Sequence, residues 1–107
     1  MQVNVLGTTY TVTESNGHED VRLRQCDGYC DPTIKVCVVD VMQGGDTMDK
    51  GNLTAQKMKN IRHELIHAFL FESGLAENSW AGNEEIVDWI AAQFPKLAKT
   101  FEEAGAV

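Results

Sequence analysis

The sequence predicts an α+β fold, with a small antiparallel or mixed sheet followed by two or three helices. Short runs of β-branched and aromatic residues, separated by turn residues, occupy the first 41 positions and are typical of strands. Apolar residues recur at helical spacing in the second half of the chain. A length of 107 residues favours one domain over positions 1–107.

The strand signals lie at residues 3–6, 10–13, 21–24 and 34–41. Gly7 lies between the first two runs and predicts an opening hairpin. Asp27-Gly28 indicates a turn, and so does Asp31-Pro32. The last run gives the strongest signal, and both of its faces are largely apolar, so we expect that strand to be covered on both sides.

Two helices are predicted after a polar stretch. Residues 42–52 contain three glycines and predict a loop that could form the rim of a cleft. A helix is expected from residue 52 or 54 to residue 73, with Gly74 as its left-handed terminator. A second helix begins near Asn83. Pro95 falls inside its pattern and should either kink that helix or begin a third one.

Composition and charge exclude several classes of protein. The chain has 16 acidic and 9 basic residues, a net charge of −7, so its surface should repel phosphate backbones and we expect no nucleic-acid partner. Its apolar runs are too short for a bilayer span, so no membrane association is expected. The first residues lack the features of a signal peptide, and an odd number of cysteines, three, favours reduced thiols in the cytoplasm.

An H-E-x-x-H sequence lies inside the first predicted helix, at His63-Glu64-Leu65-Ile66-His67. Residues four apart on a helix share a face about 6 Å apart, so both imidazoles can bind one metal ion. Zn²⁺ accepts neutral histidine nitrogens at about 2.0–2.1 Å. Glu64 faces the same side without binding the metal and can take a proton from a water molecule. The spacing therefore predicts a hydrolytic zinc site.

A catalytic zinc site needs a third protein ligand besides two histidines. Glu84 and Asp88 are four residues apart in the second predicted helix and therefore share a face. Glu84 could bind the metal, and Asp88 could accept the distal N–H of a metal-bound histidine, which fixes the tautomer of that ring. Acidic residues also favour the start of a helix for electrostatic reasons, so a purely structural role stays open.

H-E-L-I-H followed by N-E-E-I-V-D resembles the gluzincin pattern of thermolysin-like peptidases. The resemblance implies a zincin-like fold with His63, His67 and Glu84 as zinc ligands and Glu64 as the general base. It also implies supporting roles for Asn83 and Asp88. The adjacent Glu85 is an alternative third ligand.

In size the chain is similar to the compact ImmA/IrrE-type metallopeptidases of phages, mobile elements and bacteria. R-H-E-L-I-H-A-F-L-F-E-S-G-L and N-E-E-I-V-D-W-I-A are similar to phage-encoded peptidases of that kind, and the likeness covers residues 54–94. It implies zinc-dependent hydrolysis of a peptide or protein substrate. An uncovered sheet edge at 34–41 could then bind substrate as an added strand. The alternative is a zinc-stabilised protein-binding or regulatory module without catalytic activity.

The other reactive side chains are less informative. Cys26, Cys30 and Cys37 have a C-x3-C-x6-C spacing that matches no standard zinc finger. Cys30 is an alternative third ligand, because peptide deformylases combine a cysteine with H-E-x-x-H, although their other motifs are absent here. Cys37 is expected to pack within its strand. Tyr10 and Tyr29 could each offer a hydroxyl to a developing oxyanion, and the sequence selects neither.

Overall fold

In the part of the chain that the structure describes, four strands and two long helices make up the α+β architecture that the sequence predicts. The structure is a computed structural model that describes residues 1–43, 51–77 and 79–107. Most of the predicted 42–52 loop, residues 44–50, lies outside the described residues. None of the described helices is both long enough and apolar enough to cross a bilayer.

The sheet is mixed, and its strand order is β1-β2-β4-β3. The strands are β1 Gln2–Val5, β2 Thr8–Ser15, β3 Gly28–Asp31 and β4 Val36–Asp40. β1 and β3 each pair antiparallel with their neighbour, and β2 pairs parallel with β4. The opening hairpin is confirmed: Leu6 and Gly7 adopt positive φ angles of 50° and 92° and join β1 to β2 in a two-residue turn.

Two strand predictions are wrong. Val21–Arg24 is a short 3₁₀ helix, because the Asp20 side chain accepts a hydrogen bond from the Arg22 N–H and caps it. The 34–41 segment is not an uncovered edge. Lys35 has a φ of 59° and belongs to the turn, so only Val36–Asp40 is extended. That strand lies between β2 and β3. The sequence pattern does not predict β3, because turn residues flank this segment.

The first long helix, α1, spans Leu53–Glu72, which confirms the predicted helix. Asn52 caps its start by accepting a hydrogen bond from the Ala55 N–H at 3.0 Å. Gly74 ends it with a φ of 83°. Its N–H donates to the Phe71 carbonyl, and the next N–H, of Leu75, donates to the Leu70 carbonyl, both at 3.0 Å. This pair of bonds is the Schellman pattern that a glycine terminator favours.

The second long helix, α2, spans Glu84–Glu103 and continues through Pro95, so Pro95 begins no third helix. Proline has no N–H and leaves the carbonyl of the residue four positions earlier, Ala91, without its helical donor. Arg62 of α1 supplies that donor: its Nε lies 2.7 Å from the Ala91 carbonyl oxygen. The same hydrogen bond therefore compensates the proline and ties α2 to α1.

α1 packs between the sheet and the start of α2. One face contributes Ala68 to a core with Val5, Tyr10, Val12 and Cys37, against which Ile61 and Leu65 also pack. The other side contributes Leu70 to a smaller core with Ala81 and Val87. A helix that is covered on two sides is held in position and orientation, so the side chains that project between those two contacts are fixed relative to both the sheet and α2.

Candidate metal centre

His63, His67 and Glu84 meet where the middle of α1 faces the first turn of α2. The two imidazole rings lie one helical turn apart, with centroids separated by 5.0 Å. The Nε2 atom of His63 is 2.9 Å from a carboxylate oxygen of Glu84, and that of His67 is 3.0 Å from the other oxygen. Within the described residues, these three side chains are the group that could hold a metal ion.

The three groups lie close enough together to bind one metal ion. One nitrogen from each histidine and one carboxylate oxygen all lie within 4.8 Å of one another. Around tetrahedral zinc, bonds of about 2.0–2.2 Å place neighbouring ligand atoms roughly 3.4 Å apart. Glu84 is largely solvent-exposed, so the cluster is open on one side. Two imidazoles and a carboxylate suit zinc and several other divalent transition metals.

Asp88 orients the His63 ring through the nitrogen that faces away from Glu84. Its Oδ1 atom lies 3.1 Å from His63 Nδ1, so the ring can donate its Nδ1 proton to Asp88. In that tautomer the lone pair is on Nε2, where a metal ion could bind. Lys59 approaches the same carboxylate at 3.3 Å. Partial burial opposes ionisation of Asp88, but the hydrogen bonds from His63 and Lys59 outweigh it and lower the pKa of this carboxyl.

Glu64 lies beside the cluster rather than in it. Its side chain packs against β3, where a Cβ added to Gly28 would lie 3.2 Å from both Cγ and Oε2 of Glu64. The same Cβ would lie 3.1 Å from the Val38 carbonyl oxygen, so a larger residue at this position would require Glu64 or the strand to shift by a few tenths of an ångström. Only 7% of Glu64 is exposed, and burial is the main cause that raises its pKa to about 7. No hydrogen bond to its carboxylate is found within the described residues, so it is free to accept a proton.

The site opens into a cleft of about 720 Å³ that is walled by β3 on one side and by the two helices on the other. Its lining includes the three cluster residues together with Glu64, Asp88 and the segment 26–30. β3 is an edge strand of the sheet, so the cleft runs along a strand with one unpaired edge among the described strands. A cleft of this size is within the range of ligand-binding pockets.

Asn60 is a cleft residue that the sequence analysis did not select. It is 7% exposed, and its Oδ1 accepts a hydrogen bond from Gln56 Nε2 at 2.9 Å. Its Nδ2 is buried without a partner among the described residues. A buried donor without an acceptor is uncommon in folded proteins. The available signal was its position three residues before His63, which places a polar side chain on the same face of α1.

The remaining predicted site residues lie apart from the cluster. Asn83 caps α2 by accepting a hydrogen bond from the Ile86 N–H at 3.1 Å, which fixes where the helix carrying Glu84 begins. Glu85 is exposed, and neither it nor Cys30 belongs to the cluster formed by the described residues. The Tyr10 hydroxyl donates to Glu72, and that of Tyr29 donates to Asp20.

Comparison of the chain with protein-family models, with curated proteins and with solved structures finds no match in any of the three.

Proposed function

We propose that this protein is a zinc-dependent metallopeptidase with a minimal zincin-like fold, of the gluzincin or ImmA/IrrE type. One observation carries the proposal: three ligand atoms of His63, His67 and Glu84 converge within 4.8 Å at an open cleft, beside a buried carboxylate that does not take part in the cluster. A structural metal site is usually closed by four protein ligands and has no use for an adjacent base.

Zinc held by these three residues would polarise a peptide carbonyl and acidify a water molecule in the cleft. Glu64 accepts a proton from the attacking water and returns it to the amine that leaves. Asp88 keeps His63 in one tautomer and one orientation. Gly28 lets the Glu64 carboxylate lie against β3, and the unpaired edge of β3 offers backbone groups to an extended peptide.

The chemistry of the chain favours a peptide or protein substrate in the cytoplasm. A net charge of −7 opposes binding to a phosphate backbone. An odd number of cysteines, three, favours reduced thiols and therefore a reducing compartment.

The test is Glu64→Gln, which keeps the shape of the side chain and cannot act as a base at neutral pH. The variant should bind zinc like the wild type and lose peptide hydrolysis by about 10²–10⁴-fold. Glu85→Gln is the matched control, because it removes an exposed carboxylate outside the cluster and should leave hydrolysis unchanged. If the zinc-loaded wild type cleaves no peptide in a peptide-library digest, the proposed peptidase activity is refuted.

A second candidate is a metal-stabilised protein-binding module. The observation in its favour is a row of apolar side chains along α2, at Ile86, Ile90, Phe94, Leu97 and Phe101. The helical spacing of these residues predicts packing onto the core, yet Ile86 is 37%, Phe94 51% and Phe101 46% exposed. Exposed apolar rows of this kind are typical of contact surfaces. Binding of a protein partner with equal affinity by the wild type and Glu64→Gln, without cleavage, would favour this function.

A further inference from the structure

Cys30 and Cys37 lie directly opposite each other on the paired strands β3 and β4. The spacing of the cysteines in the sequence does not predict this pairing, because six residues and a turn separate them. Asp40 donates its backbone N–H to the Asp27 carbonyl at 2.8 Å. Hydrogen-bonded and non-hydrogen-bonded pairs alternate along an antiparallel ladder, so counting from that pair makes Cys30 and Cys37 a non-hydrogen-bonded pair.

This kind of pair has the geometry that a disulfide requires. In a non-hydrogen-bonded pair the Cα atoms are about 4.5 Å apart, and disulfides span Cα separations of about 4.4–6.8 Å. Directly opposite residues also carry their side chains on the same face of the sheet. A covalent bond between them would therefore need little movement of the strands.

The two thiols differ in access. Cys30 is partly exposed and lines the cleft, whereas Cys37 is fully buried. Cys37 Sγ also lies 3.6 Å from the backbone carbonyl oxygen of Glu64 on α1, so its single proton can be donated to that oxygen or to Cys30. The hydrogen bond with Cys37 is the largest influence on Cys30 and lowers its pKa, which favours the reactive thiolate.

We propose that Cys30 and Cys37 form a reversible disulfide on the wall of the cleft when the protein meets a low-molecular-weight disulfide such as oxidised glutathione. The Cys30 thiolate attacks one sulfur of the reagent, whose S–S bond breaks to give a mixed disulfide and one thiol. Cys37 then attacks the Cys30 sulfur and expels the second thiol. The protein loses two hydrogen atoms, the reagent gains both, and the two electrons pass with them.

The bond would join the strand that packs against Glu64 to the interior of the sheet, and it would remove the proton that Cys37 can donate to α1. It closes a short loop from residue 30 to residue 37, so oxidation should raise the melting temperature Tm by roughly 5–10 °C. Addition of a dithiol reductant should reverse the shift. This inference does not depend on the proposed peptidase activity, because thiol count, mass and Tm are measured without a substrate.

The experiment exposes the reduced 107-residue chain to oxidised glutathione, traps the remaining thiols with a maleimide and measures the intact mass. The wild type should lose two thiols and two hydrogen masses, and proteolysis should release a peptide that joins Cys30 to Cys37. The Cys26→Ser variant is the matched control, because Cys26 is exposed and donates to the Arg22 carbonyl rather than to a thiol. It should form the same disulfide.

Cys37→Ala should accumulate the glutathione adduct on Cys30, whereas Cys30→Ser should keep the buried Cys37 as a free thiol. The peptide map of the wild type keeps the test decisive if a variant at the buried Cys37 fails to fold. A disulfide that includes Cys26, or glutathione adducts on separate cysteines without an internal disulfide, would overturn the proposal.

Discussion

Two clusters along α1 each have a carboxylate at their centre. They differ in the groups that contact this carboxylate. At the end of the helix, Glu72 accepts hydrogen bonds from the Tyr10 hydroxyl and the Lys35 ammonium, both at 3.0 Å. Its side chain is 12% exposed. In the middle of the helix, Glu84 meets the Nε2 atoms of His63 and His67, and 68% of its side chain is exposed.

The difference shows which cluster is complete in itself. A hydroxyl and an ammonium always carry protons to donate, so Glu72 is satisfied by the protein alone. An imidazole that gives its Nδ1 proton to Asp88 presents a lone pair at Nε2, and a lone pair facing a carboxylate needs either a second proton or a metal ion between them. The cluster around Glu72 therefore holds the helix against the sheet without any added group, whereas the cluster around Glu84 could hold a metal ion.

The largest expected effect is a loss of zinc affinity at the cluster around Glu84. His63→Ala removes one of two nitrogen ligands and should weaken zinc binding by at least about 100-fold, since even supporting residues contribute 10–100-fold. Competition with a chromophoric chelator measures the affinity. His18→Ala, which removes the histidine of an exposed turn, is the control and should bind one zinc like the wild type. Unchanged zinc binding by His63→Ala would show that the cluster is not a metal site.

The next effect separates two adjacent carboxylates. Glu84→Ala should weaken zinc binding by about 100-fold, because Glu84 is the carboxylate that contacts both imidazoles. Glu85→Ala should change it less than about two-fold, because that side chain points about 100° around the helix from Glu84. The same chelator competition compares the two variants. The opposite ranking would make Glu85 the third ligand and require α2 to rotate.

The cluster around Glu72 should respond to pH rather than to zinc. Hydrogen bonds from Thr8, Lys35 and Tyr10 lower the pKa of Glu72. A folded-state pKa below the unfolded one gives stability that is present above the ordinary carboxyl pKa and is lost as the pH falls through the folded value. Glu72→Gln should therefore lower Tm at pH 7 and flatten its decline below about pH 4.

Thermal unfolding of apo protein over a pH series measures this effect, with the exposed Glu77→Gln as control. Zinc affinity should be the same in the wild type and Glu72→Gln. If Glu72→Gln loses zinc while keeping its acid stability profile, the roles assigned to the two clusters are reversed.

The smallest expected effect is a gain in stability rather than a loss of binding or stability. Asn60 holds a buried Nδ2 donor without a partner among the described residues, and such a group costs about 1–3 kcal/mol. Asn60→Leu has similar volume and should raise the free energy of unfolding by about 1 kcal/mol. Denaturant unfolding measures this free energy, and Gln56→Leu, which removes the hydrogen bond to Asn60 Oδ1 instead, is the comparison variant. Destabilisation by Asn60→Leu would show that Nδ2 has an acceptor in the folded protein.

Features that depend on neighbours along the chain can be predicted without the fold. Helical spacing places His63 and His67 on one face of α1 whatever the rest of the fold does. The caps at Asn52 and Asn83 and the terminator at Gly74 are equally local, because each satisfies backbone groups within one turn of itself. These signals also give the α+β class.

Features that need two distant segments to come into contact depend on the complete fold. The strand signal at 34–41 could not show that β2 and β3 cover both edges of β4, because pairing partners depend on contacts across the whole sheet. The approach of Glu64 to Gly28 and the pairing of Cys30 with Cys37 follow from that arrangement. The choice of Glu84 over Glu85 depends on how α2 is rotated against α1, and packing between the helices sets that rotation.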